Sequence, residues 1–157
     1  KMAMIYIDAK QKGLAEKLAK TQAKGLGRPI FSNYMQLMTF AAMIGNRCGS
    51  MSKVVSRDGE VESDVFDRNR MDGIVYLTSL HETGSGEILR DTKENEAACW
   101  KYFEEYAARG LEEVENWMLD NPSDSDGVET ILTEMKKVAM ALVENEGSDE
   151  NLKDVTF

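Results

Sequence analysis

The sequence predicts a mainly α protein, a single domain of about five to six helices with one short N-terminal strand. Three observations predict it. Apolar residues recur at helical spacing in segment after segment, and capping residues or glycines bound those segments. Only the opening run AMIYI is compact and partly β-branched. A chain of 157 residues can bury one substantial core but not two independent ones.

Ala3–Ile7, closed by Asp8, reads as the strand. Ala9–Ala23 is rich in Ala, Lys, Gln and Leu, all good helix formers, with Leu14, Ala15 and Leu18 on one face. Lys10, Lys17, Lys20 and Lys24 fall within about 80° of one another at ~100° per residue, a basic ridge beside that stripe. Two glycines and a proline make Lys24–Pro29 a loop. Ser32 then reads as the N-cap of a helix from roughly Asn33 to Arg47, closed by Gly49. That helix is apolar nearly all round, so it is expected to be the buried central post.

Ser50–Arg70 is polar and poorly periodic and reads as a connection with at most a short ordered turn. Met71–Glu82 is helical, with Ile74, Leu77, Thr78 and His81 along one side, and Thr83-Gly84-Ser85-Gly86 breaks it. Asp91-Thr92-Lys93-Glu94 fits a capping box opening a helix to Arg109, which Gly110 ends. A separate helix over Leu111–Asp120 follows and stops at Asn121-Pro122. Asp126-Gly127-Val128-Glu129 opens the last, which carries Ile131, Leu132, Met135, Val138, Ala139 and Leu142. The expected organisation is one helical domain over 1–143: a basic strand-helix-helix segment 1–49, a connection 50–70 and an acidic helical segment 71–143. A flexible acidic tail, 144–157, follows.

Charge is unevenly spread. Lys1 to Arg57 holds 10 Lys and Arg against Asp8 and Glu16, a balance of +8. The remainder holds 9 basic and 26 acidic residues, or −17, which gives the net −9 of the chain. A basic front on an acidic body is either an outward-facing electrostatic surface or two halves of one fold attracting each other. No apolar run approaches the roughly 18–20 residues of a bilayer span. With no secretory leader pattern, and with Cys48 and Cys99 51 positions apart, a cytoplasmic location without disulfides is expected.

The tests for chemistry come out against an enzyme. One histidine and two distant thiols cannot supply a standard zinc site. His81, before a glycine, reads as a helix C-terminal group satisfied by a carbonyl. Gly84-Ser85-Gly86 lacks the flanks of a nucleophile elbow, a P-loop or a dinucleotide fingerprint. A calcium loop centred on Gly127 would begin at Pro122 and end at Thr133, so Asp124 and Asp126 read as turn and cap residues. Glu104-Glu105 and Glu112-Glu113 read as solvated faces, and Trp100, Phe103 and Trp117 as core. No metal or cofactor is expected.

The opening segment carries the sharper expectation. Strand, helix, loop and capped helix are the order of a ribbon-helix-helix half, in which two chains pair their strands in the major groove. The second helix would aim its N-terminus, at Ser32, towards a phosphate, and Lys10, Lys17, Lys20, Lys24 and Arg28 would add phosphate contacts. Against that geometry, the strand faces Met4/Tyr6 and Ile5/Ile7 offer no polar row to read base edges.

Three stretches taken in order, IYIDAKQKGLAEKLA, FSNYMQLMTFAAMIGNRCG and VYLTSLHETGSGEILRDTKENEAACWKYFEEYAARGLEEVENWMLDNP, resemble one family. It is the dnd system-associated protein four family, small proteins encoded beside DNA-phosphorothioation (dnd) clusters. Met35–Gly45, Thr78–Leu89 and Glu104–Leu111 occupy the places of its "DVFMFAAALG", "LA..ETGD..IL" and "EEYANGGI" segments, and the likeness runs from about Ile5 to Pro122. The glycine-rich Lys24–Pro29 loop and the acidic ending depart from it. The resemblance implies a phage-defence setting built around sulfur-modified DNA, and carries no catalytic residues with it.

The sequence therefore leads to a non-catalytic accessory protein of such a locus that binds DNA through its basic front. Self-association is expected through the strand or the Met-rich central helix. The alternative is an adaptor whose acidic C-terminal half docks a basic partner surface without touching DNA.

Overall fold

The computed structural model of the chain describes residues 3–150. Two short strands and six helices follow in the order β1 Met4–Asp8, α1 Lys12–Ala19, α2 Tyr34–Cys48, β2 Arg57–Glu62, α3 Ser63–Arg68, α4 Gly73–Thr83, α5 Lys93–Asp120 and α6 Val128–Glu150. The protein is mainly α, with one two-stranded antiparallel sheet.

The core is the crossing of α2 on α5. Ala41, Ala42 and Gly45 of α2 meet Tyr106, Ala107, Gly110 and Leu111 of α5, all buried. A Cβ on Gly45 would collide with the Tyr106 carbonyl, and one on Gly110 with the Ala41 carbonyl. The two backbones are thus in direct contact, and Gly110 sits mid-helix instead of ending one. Glycine inside a helix costs roughly 1 kcal/mol against alanine. Here the close packing of two backbones offsets that cost, and α5 runs unbroken for 28 residues. Phe66, Trp100 and Phe103 extend the core as an edge-to-face cluster with ring centroids 5.2–6.0 Å apart.

The segment expected to be a connection holds β2 and α3. β2 pairs antiparallel with β1, Ile5 opposite Val61 and Tyr6 opposite Glu60. A bulge between Tyr6 and Ile7 leaves Gly59 as the extra residue of β2, with φ +56°. β2 reads RDGEVE, in which the buried Val61 is the single apolar side chain, so it carries no alternating apolar signal. Its pairing corrects the ribbon-helix-helix geometry: β1 finds its partner strand in its own chain. The other side of β1 is engaged as well, because the Tyr6 amide donates to Glu104 Oε2 at 2.9 Å. Of the methionines on α2, Met35 and Met38 are buried and Met43 alone is exposed. The two surfaces expected to drive self-association are therefore largely occupied within the chain.

Other boundaries move for identifiable reasons. The Asp8 side chain caps a 3-10 turn over Ala9–Gln11, so α1 begins only at Lys12. Asn33, not Ser32, caps α2: its side chain accepts from the Gln36 amide at 3.0 Å, while Gln36 Oε1 accepts from the Ser32 amide. On α4 the buried face is Val75, Thr78 and Ser79, and Leu77 lies outside it, 61% exposed. α6 continues to Glu150, so the first part of the acidic ending is helical, and the rest of that expected tail lies outside the described residues.

Candidate nucleic-acid interface

Asp8, at the end of β1, organises the approach to the basic front. Its carboxylate accepts from the Val55 amide at 2.8 Å, the Ser56 amide and the Lys10 amide. The Val55 bond above all holds its pKa below the usual aspartate value. The turn it caps carries Lys10 toward α5, where Nζ stands 3.5 Å from Glu112 Oε1. Lys12 pairs with Asp58 of β2 at 3.1 Å, a bond that raises the lysine pKa and lowers that of the aspartate.

Among the described residues, no carboxylate lies within 4 Å of the charged groups of Lys17, Lys20, Lys24 or Arg28. Lys17 is half-buried in the last turn of α1, and Lys20, just past its end, lies 4.7 Å from the Tyr34 ring centroid. Lys24 and Arg28 are exposed on the loop before α2. That loop is pinned at three places: Ala23 is buried and donates to the Arg28 carbonyl, Phe31 donates to the Leu18 carbonyl, and the Lys24 amide donates to Asp126 Oδ2. Asp126 also accepts from Val128, and Asp124 Oδ2 takes both the amide and hydroxyl of Thr130 at 2.7 Å. Both aspartates are turn and cap groups, and one of them anchors the basic loop to α6.

The basic ridge is not continuous, because α1 spans only Lys12–Ala19 and leaves Lys10 and Lys24 off the helix. The structure brings Lys20 and Ser32 together in a groove of about 640 Å³ that also holds Tyr34, Glu60 and Glu62. It draws Lys10 to Glu112 instead. A second groove, of about 610 Å³, gathers Lys53, Arg57 and Lys101, which sequence reasoning did not single out. They come from a loop, the start of β2 and α5, so no local spacing could have united them.

Three of the four paired glutamates of α5, Glu104, Glu112 and Glu113, make side-chain contacts within the fold. Glu104 binds the β1 amide, and burial pushes its pKa up. Glu112 accepts from the Ser52 hydroxyl at 2.9 Å, and Glu113 pairs with Arg109. His81 is satisfied by the Asn46 amide, 2.7 Å from Nδ1, not by a helix carbonyl. Tyr106 donates to Glu82, and burial together with that bond pushes its pKa up to about 12.

A family model described as DNA sulphur modification system-associated protein 4 matches residues 5–152, from β1 through the end of the described α6. The chain belongs to that family. Membership in the DNA sulphur modification system-associated protein 4 family ties it to a DNA sulphur modification (dnd) system. The matched span covers both the Lys24–Pro29 loop and α6. Among curated proteins and solved structures, no match to the chain is found. Among the described residues, no helix is long and apolar enough to cross a membrane, and no three His, Cys, Asp or Glu side chains gather as metal ligands would.

Proposed function

We propose that this member of the family is a non-catalytic accessory protein of a cytoplasmic DNA-phosphorothioation and phage-defence locus, and that it binds DNA through Lys10, Lys17, Lys20, Lys24, Arg28 and Ser32. One observation carries the reading. If the basic front existed to attract the acidic half of the same fold, its cations would be paired internally. Among the described residues up to Arg57, only Lys10 and Lys12 form ion pairs, with Glu112 and Asp58. Among the described residues, Lys17, Lys20, Lys24 and Arg28 have no carboxylate within 4 Å, which leaves them available to phosphates.

The test is binding of a labelled duplex, with and without phosphorothioate linkages, across a salt series. Wild-type affinity should fall steeply with salt. In Lys17→Glu/Lys20→Glu the slope should flatten by about two contacts' worth, at roughly 0.9 per phosphate. Absence of binding at low salt would overturn the DNA reading.

The adaptor reading draws on α6. Leu132, Met135, Met140, Leu142 and Val143 are 36–68% exposed along it, an apolar surface on the acidic half that suits a protein partner with a basic rim. Co-purification with another protein of the locus, lost on Leu132→Glu/Leu142→Glu and indifferent to Lys17→Glu/Lys20→Glu, would favour that reading.

A further inference from the structure

The groove of about 610 Å³ between β1, the chain leading into β2, and α5 lies outside the surface assigned to duplex DNA, sharing none of its basic residues. Its size is that of small-molecule sites, which run from roughly 300 to 1,000 Å³, and is far larger than a single phosphate needs. Lys53, Arg57 and Lys101 line it, all three exposed and, among the described residues, without a carboxylate within 4 Å. The Arg57 guanidinium lies 4.9 Å from the Tyr6 ring centroid. A planar guanidinium suits both a phosphate and the face of a flat ring.

Two carboxylates share the groove with these cations. Glu104 and Glu105 line it, and Glu104 spends Oε2 on the Tyr6 amide. No described residue donates to its Oε1. The half-buried carboxyl therefore has an acceptor to offer; burial opposes its charge more than the Tyr6 amide, Arg57 and Lys101 favour it. Cations alone would suit any anion, but the carboxylates beside them disfavour a ligand that is anionic along the whole length of the groove. The pairing instead suits a ligand with an anionic end and a body bearing N–H donors. Val54, Ala97 and Trp100 supply apolar wall for that body.

We propose that this groove binds a nucleoside phosphate, its phosphate toward Lys53, Arg57 and Lys101 and the N–H donors of its base toward Glu104 and Glu105. The same chemistry is presented by a free nucleotide and by the 5′-phosphorylated end of a single strand. The assignment stands apart from the duplex surface, because Lys17 and Lys20 lie outside the groove.

The experiment is calorimetric titration of the full chain with AMP, GMP, inorganic phosphate and a short 5′-phosphorylated single strand, with its 5′-hydroxyl counterpart as control. Binding of AMP or GMP at one site identifies the free nucleotide. Binding of the phosphorylated strand alone identifies a strand end. Either should weaken by about tenfold or more in Arg57→Glu and in Lys101→Glu, the loss expected when a charged contact is removed. Both side chains are exposed, and circular dichroism of each variant confirms folding. Lys17→Glu/Lys20→Glu should keep nucleotide binding while weakening duplex binding and flattening its salt slope, so failure of one assignment is distinguishable from failure of the other. The proposal is overturned by three results. These are no binding of any nucleoside phosphate, binding unchanged in both groove variants, or inorganic phosphate binding as tightly as AMP.

Discussion

The Tyr6 amide donates to Glu104 Oε2 at 2.9 Å, joining residues 98 positions apart. This bond covers an edge of β1 that would otherwise be open to another chain. It also keeps a half-buried carboxyl in place on α5. Glu104→Gln keeps an acceptor for the Tyr6 amide and removes the cost of burying charge. Stability at pH 7 should hold or rise, whereas Glu104→Leu should lose about 1–3 kcal/mol by leaving that amide unpaired. Urea unfolding of the two variants checks it, and equal losses would contradict the role given to the bond.

The α2–α5 crossing predicts a sharper effect. Gly110→Ala improves helix propensity but drives a Cβ into the Ala41 carbonyl, and Gly45→Ala does the same against Tyr106. Each should cost about 2–4 kcal/mol, the upper end of overpacking penalties, because backbone and not a flexible side chain must move. A stabilised Gly110→Ala in thermal melting would mean that the two helices do not touch there.

Asp8 predicts an acid limb in stability. Its folded pKa is depressed by the Val55, Lys10 and Ser56 amides, so its contribution is present above the unfolded value of about 3.9. The contribution is lost as pH falls through the folded value. Melting temperature should drop below about pH 4 in the parent chain. In Asp8→Ala the protein should be less stable at neutral pH, and the drop through that window shallower.

The cap of α2 is a direct comparison between neighbours. Asn33→Ala removes the acceptor of the Gln36 amide and should cost about 1 kcal/mol. Ser32→Ala leaves its own backbone bond to Gln36 intact and should change stability by less than about 0.5 kcal/mol. Chemical denaturation of the two variants separates them, and a larger loss at Ser32 would restore it as the cap.

The sequence by itself determined the helical character of the protein, the break after α4, the cap region of α5 and the family. Each rests on residues a few positions apart: the apolar spacing of α2, Thr92 accepting from the Asn95 amide at the start of α5, the left-handed glycines closing α2 and α4. Only the tertiary structure decided that RDGEVE is a strand, because its partner lies about fifty residues earlier and one buried valine leaves no periodic trace. The same holds for Gly110, which looks like a helix end until Ala41 is seen against it. Among the cations, the exposed Lys20 and Arg28 were legible as a basic front. The convergence of Lys53, Arg57 and Lys101 was not, since chain folding alone brings a loop, a strand end and a helix face to one groove. Local patterns record what neighbours in sequence do to each other, and long-range pairing records what the whole core does to them.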